Sequence, residues 1–157
     1  MPTEIASDEY LRIKSKILNS RDAGKTTFNI SLLSQEDRFD EKRLLRSYLE
    51  SVGFLEVQED LSEIERSHAE FLTKKFLSED LAYGGKLKSE EIKEEVFHFL
   101  EGEVKPIKYF TNRNLLPGEP FESWPPDWMP ISNSTFDMAV VYLGKEKIAI
   151  LAVEDED

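Results

Sequence analysis

Hydrophobic and polar positions along the chain change period several times. Over 7–19, Tyr10, Ile13 and Ile17 recur at helical spacing, and Ser7 stands where a cap belongs. "SRDAGK" ends that pattern. "TTFNISLL" at 26–33 then alternates Phe28, Ile30 and Leu32 with Thr27, Asn29 and Ser31, the period of a half-buried strand. A second helix starts near Ser34 or Asp40 and ends before Gly53, with Leu45, Tyr48, Leu49 and Val52 as its inner stripe. "FLEVQ" at 54–58 reads as a short strand or a connector. Ser62 and Glu65 form a capping-box pattern for a third helix to about Leu77. Gly84–Gly85 breaks the chain. Ser89 opens a fourth helix with Ile92, Val96, Phe99 and Leu100 inward and Gly102 as its stop. "VKPIKYF" has strand character, which Pro106 demotes to an edge or a bulge.

From 111 to 135 no period survives. Five of the seven prolines and both tryptophans fall in this stretch, so it reads as a long loop packed down on something rather than a linker. The chain closes with "DMAVVYL" and "IAILAV", each apolar at successive positions. Strands of that kind are covered on both faces. Gly144–Lys145 supplies a hairpin turn, and a four-residue "GKEK" loop fits as well. These elements predict an α+β fold: about four N-terminal helices on a small antiparallel sheet that includes a C-terminal β-hairpin at 137–153. One domain over 1–157 is expected, with a helical portion at 7–102.

Composition narrows the function classes. There is no cysteine, which removes disulfides, thiolate catalysis and Cys-based zinc sites. The first residues lack a basic start and an apolar core, and no run approaches a membrane span, so a cytoplasmic protein is expected. Net charge is −12, and residues 111–157 hold 9 acids against 3 bases. Such a surface suits neither nucleic acid nor an anionic membrane, and it suits a basic protein.

Motif chemistry is sparse. "AGKTT" resembles the end of a phosphate loop, but Asn19 stands where the first glycine belongs, a helix precedes it and a strand follows. It reads as a helix-to-strand turn. Glu65-x-x-His68 and Glu95-x-x-His98 repeat the spacing of carboxylate-bridged metal bundles. Helical phase places His68 on an apolar stripe and His98 away from its own, so the pairs do not share a cavity. No nucleophile elbow is present. No cofactor and no catalytic residue is assigned. A metal-dependent enzyme on the Glu/His helices, or a subunit of a larger assembly, stands as the alternative.

The remaining features are the loop and the tail. In "WPPDWMP", Trp124, Asp127 and Trp128 set rigid aromatics beside a charge, which suits either a binding hot spot or a roof over the sheet. Glu154, Asp155, Glu156 and Asp157 follow the last apolar strand directly. They act as guards against edge pairing, as a rim that steers a basic partner, or as part of a divalent-cation site. These seven residues are the expected partner-binding set. The function expected from them is a non-enzymatic acidic binding protein, of the immunity type that inhibits a nuclease toxin.

Overall fold

A computed structural model describes residues 2–38, 40–55, 57, 59–124 and 126–156. The fold is α+β, and its centre is the C-terminal hairpin. Strands β7 (Phe136–Leu143) and β8 (Lys147–Asp155) pair antiparallel from Phe136↔Asp155 to Leu143↔Ile148. β2 (Lys25–Leu32) flanks β8, and the short β1 (Thr3–Glu4) flanks β2. On the other side, β4 (Lys108–Thr111) flanks β7, and β3 (Ser62–Ile64) flanks β4. The order β1-β2-β8-β7-β4-β3 makes a six-stranded, fully antiparallel sheet.

Both faces are covered, as the unbroken apolar runs require. On the first face, Met138, Val140, Tyr142, Ala149, Leu151 and Val153 pack under helices α1 (Asp8–Ser20), α3 (Arg66–Ser78) and α4 (Lys93–Val104). On the second face, Ala139, Val141, Leu143, Ile148, Ile150 and Ala152 meet α2 (Glu41–Ser51) and the segment carrying Met129 and Ile131. Ser7 caps α1 by accepting from the Tyr10 amide, and Asp40 caps α2 by accepting from Arg43.

Three local expectations are corrected and one open alternative is decided. Ser62–Ile64 is an edge strand rather than a helix cap, and Glu65 ends up as the first flanking residue of α3 with no side-chain cap bond. Three ladder positions on β4 outcompete one capping interaction. Pro106 lies ahead of β4, where its missing N–H costs no ladder bond, so β4 is an interior strand. Residues 54 and 55 belong to a connector, while Glu56 and Gln58 lie outside the described residues. Gly102 does not stop α4. The helix runs on to Val104 and ends at Lys105, which takes the left-handed conformation at φ 51°.

The hairpin closes through the four-residue loop, with the Gly144 amide donating to the Lys147 carbonyl. Gly144 is needed for proximity rather than for positive φ. A Cβ there would lie 2.1 Å from the Val104 carbonyl oxygen, so the turn packs directly on the end of α4. Nothing stands within 4 Å of a Cβ built on Gly102. Gly144→Ala is therefore expected to destabilise the protein by about 1–3 kcal/mol, the range for overpacking. Gly102→Ala is expected to stabilise it by roughly 0.5–1 kcal/mol, the helix-interior cost of glycine. Urea denaturation of the two variants checks both signs.

Candidate functional site

The 111–135 stretch gains its shape from buried polar side chains. After Thr111, the last residue of β4, it holds a two-residue ladder, β5 (Arg113–Asn114) on β6 (Asp127–Trp128), and its other described residues are irregular. Irregular backbone against a core leaves amides and carbonyls to satisfy. Asn112 satisfies one of them together with two groups of β7: its Nδ2 donates to the Met129 and Asp137 carbonyls at 2.8 and 3.0 Å, and its Oδ1 accepts from the Ala139 amide at 2.8 Å. Asp137 accepts from the Ile131 amide at 3.0 Å and from the Ser132 amide and hydroxyl at 2.9 and 2.7 Å. Both side chains are buried.

Arg113 is the clamp. Its side chain is buried, and its guanidinium donates to the Phe121 and Ser123 carbonyls and lies 3.3 Å from His68 Nε2. Burial lowers its affinity for the proton, offset by the charge of Glu119. The guanidinium also sits 5.6 Å from the centre of the Trp124 ring, and Lys75 Nζ is 5.1 Å from that ring. His68 is buried and stacks on Phe121, while Phe71 meets both Phe121 and Trp124 edge-on. Burial first, and then the Arg113 charge, push the His68 imidazole down to about 4.

A second buried cation closes the same end. Arg21 forms a bidentate pair with Asp155, Nη1 to Oδ1 at 2.9 Å and Nη2 to Oδ2 at 2.8 Å, and its Nε donates to the Phe76 carbonyl. The Leu81 amide donates to Asp155 Oδ2 at 2.7 Å. Gly24, in the sequence that resembled a phosphate loop, makes this approach possible: a Cβ on it would lie 2.1 Å from the Glu154 carbonyl oxygen.

The expected partner-binding residues therefore divide. Trp124 and Trp128 are half-buried on the first face, where they line a cavity of about 40 Å³ with Leu81, Pro126, Phe136 and Met138. That is about one water molecule's share of liquid volume, so the rings act largely as roof while keeping one side open. Asp127 is exposed beside them. Strand alternation puts Glu154 on the opposite face from the indoles, 4.0 Å from the exposed Lys25 ammonium. Glu156 is exposed. Hydrogen bonds from the Thr135 hydroxyl, then Ser134 and the Thr135 amide, hold its carboxyl below the usual range. Asp155 is a correction: β8 continues through it, so its side chain turns to the first face and is sealed with Arg21, out of a partner's reach. Asp157 lies outside the described residues.

The exposed Glu122, Asp127 and Glu156, the half-buried Glu119 and Glu154 and the half-buried indoles still share one end of the sheet, although not one face. Of the three bases in residues 111–157, Arg113 is buried and Lys145 and Lys147 belong to the turn at the far end. Glu119, Glu122, Asp127, Glu154 and Glu156 thus gather where that part of the chain offers no exposed base, although Lys25 and Lys75 border them.

The helical Glu/His pairs do not converge. His68 faces Arg113 and Phe121, His98 is exposed, and Glu95 bonds Lys16 and Arg12. Among the described residues no group of three or more His, Asp or Glu is arranged to hold a metal. The roles of Arg21, Asn112 and Asp137 left no mark on periodicity. Arg113 did leave a signal, as the one base between Lys108 and Lys145. No family model matches the chain, and neither the curated proteins nor the solved structures contain a significant match to it.

The buried imidazole gives the site a pH signature. In the unfolded chain His68 titrates near its ordinary 6.5, and in the folded protein near 4. The unfolded state therefore binds the extra proton across that window. The stability present above pH 6.5 is lost as pH falls toward 4, by about 2–3 kcal/mol from this group. His68→Gln is expected to flatten the wild-type decline between pH 6.5 and 4 by that amount, measured as the difference between urea-unfolding curves of the two proteins.

Proposed function

We propose that this chain is a non-enzymatic, cytoplasmic binding protein that engages a basic protein partner through the acidic, tryptophan-bearing end of its sheet. An immunity-type inhibitor that occupies the anion-binding groove of a nuclease toxin is the form this function takes. The observation that carries the reading is the charge segregation in the last third of the chain. Glu119, Glu122, Asp127, Glu154 and Glu156 collect at one end of the hairpin, while its two lysines, the exposed Lys145 and the half-buried Lys147, lie at the other with a single acid, Glu146.

Physical reasoning supports the pairing of these features. Carboxylates at a rim raise the rate of encounter with a basic partner and disfavour anionic ones. Trp124 and Trp128 are fixed by their surroundings before any partner arrives, so docking against them orders little that is not already ordered. The residues assigned to contact are Trp124, Asp127, Trp128, Glu154 and Glu156. Asp155 is assigned to holding the rim in place. No helix among the described residues is long and apolar enough to cross a membrane.

The test is capture on the immobilised full chain at low salt, followed by elution at high salt. The wild-type protein is expected to retain a protein of basic isoelectric point and release it with salt. The variant Asp127→Lys/Glu154→Lys/Glu156→Lys is expected to lose it. Absence of any basic protein in the eluate, or retention unchanged by the triple reversal, contradicts the reading.

A further inference from the structure

The sheet has two edges, and they differ in how their charge is used. At β1, Glu4 is already engaged, accepting from Lys14 Nζ and from the Tyr10 hydroxyl. At β3, one side pairs with β4 and, among the described residues, no strand lies on the other. Such an edge presents unpaired N–H and C=O groups, a template for another strand.

Acids crowd this second edge. Glu59, Glu63 and Glu65 are exposed and form no salt bridge among the described residues. Lys108 contributes to the field at Glu63, but its ammonium is hydrogen-bonded to Glu41. Asp60 is met by Lys42 at 3.5 Å and Arg46 at 3.9 Å. Beside the strand, between α2 and Val57, Glu59, Asp60, Leu61 and Glu63, runs a groove of about 200 Å³ with Leu45, Leu49 and Phe110 also in its lining. Ser62 pairs with Thr111, so the edge begins next to the Arg113-clamped segment and continues the acidic end of the sheet around its side.

Unpaired carboxylates on an edge do two things at once. They repel the same edge of a second copy, and they attract a strand of opposite charge. The geometry points to β3 as a docking edge for an extended segment of the partner protein that carries lysine or arginine and at least one aliphatic side chain. The segment adds as a seventh strand. Its main chain pairs with Ser62–Ile64, its cations face Glu59, Glu63 and Glu65, and its aliphatic side chain enters the groove over Phe110. This inference rests on the reading that the partner is basic, and it adds a mode of contact separate from the tryptophan end.

The test titrates the ¹⁵N-labelled full chain with a capped peptide of repeating lysine-threonine-valine-threonine, which puts lysine and valine on one face of the strand as Glu63 and Phe110 are, and separately with its counterpart bearing glutamate for lysine. Saturable shifts at Leu61, Ser62, Glu63 and Ile64 with the lysine peptide alone are expected. Glu59→Lys/Glu63→Lys/Glu65→Lys is expected to weaken that binding by about tenfold or more, equivalent to about 1.4 kcal/mol. The conservative Glu63→Gln is expected to weaken it less. The amide spectrum of each variant reports that it is folded. No saturable shift at millimolar peptide, equal response to the glutamate peptide, or shifts confined to the Asp127 and Glu156 end overturns the inference. Capture of a basic partner that survives the edge reversal but fails on the rim reversal also overturns it, and leaves the basic-partner reading intact.

Discussion

Two guanidinium groups buried at the same end of one sheet set the terms for the rest of the molecule. A charge taken out of water is costly unless its hydrogen bonds are met in full. Arg21 meets that demand with a bidentate carboxylate, Asp155, and with backbone carbonyls from the end of α3. Arg113 has no carboxylate bonded to it among the described residues; carbonyls of Phe121 and Ser123 accept from its two Nη groups and a neutral imidazole stands beside it, while its Nε is buried without a partner. Each arrangement holds only if several separate stretches of chain arrive together. Arg21 thereby ties α1, α3 and β8, while Arg113 ties β5, α3 and the proline-rich segment. Removing either leaves unmatched charge or carbonyls in a dry place, so the arrangement is close to all-or-none.

That constraint explains why an irregular stretch with five prolines behaves as part of the structure. Asn112 and Asp137 extend the same logic to neutral and anionic groups, using side chains where a sheet would use its ladder. The consequence is a surface whose parts are placed in advance. The indoles lean on Phe71, Phe136 and the Arg113 cation, and the acids that remain outside are the ones left over after the interior has taken Asp137 and Asp155. Charge segregation is thus a by-product of how the end is built, and it is the feature on which the proposal of a basic partner rests.

Much of the fold was legible because burial imposes a period. The α1 stripe, the alternation of β2 and the two-sided apolar character of β7 and β8 each follow from which side chains must leave water. Where a local signal competed with pairing, pairing won: Ser62 and Glu65 fit a cap, yet the β4 edge took Ser62–Ile64. Gly102 looked like a stop because glycine is common there, but α4 needed another half-turn to bring Val104 under the hairpin turn. The site was half legible. The rim acids and the tryptophans stood out by composition, whereas the inward turn of Asp155 depended on strand β8 running two residues past its last apolar position. Its partner, Arg21, is 134 residues away in sequence, and no periodicity links such a pair.

The central claim is that buried polar contacts hold the 111–135 segment as firmly as a strand. Native-state hydrogen exchange measures this directly, amide by amide. The Met129 amide, which donates to the Asn112 backbone carbonyl, and the Ile131 and Ser132 amides, which donate to the Asp137 carboxylate, are expected to show protection approaching that of the β7–β8 ladder, and to lose it in Arg113→Met while β7 and β8 keep theirs. Exchange of those three amides in the wild-type protein at the rate of an open, unstructured chain would contradict the account.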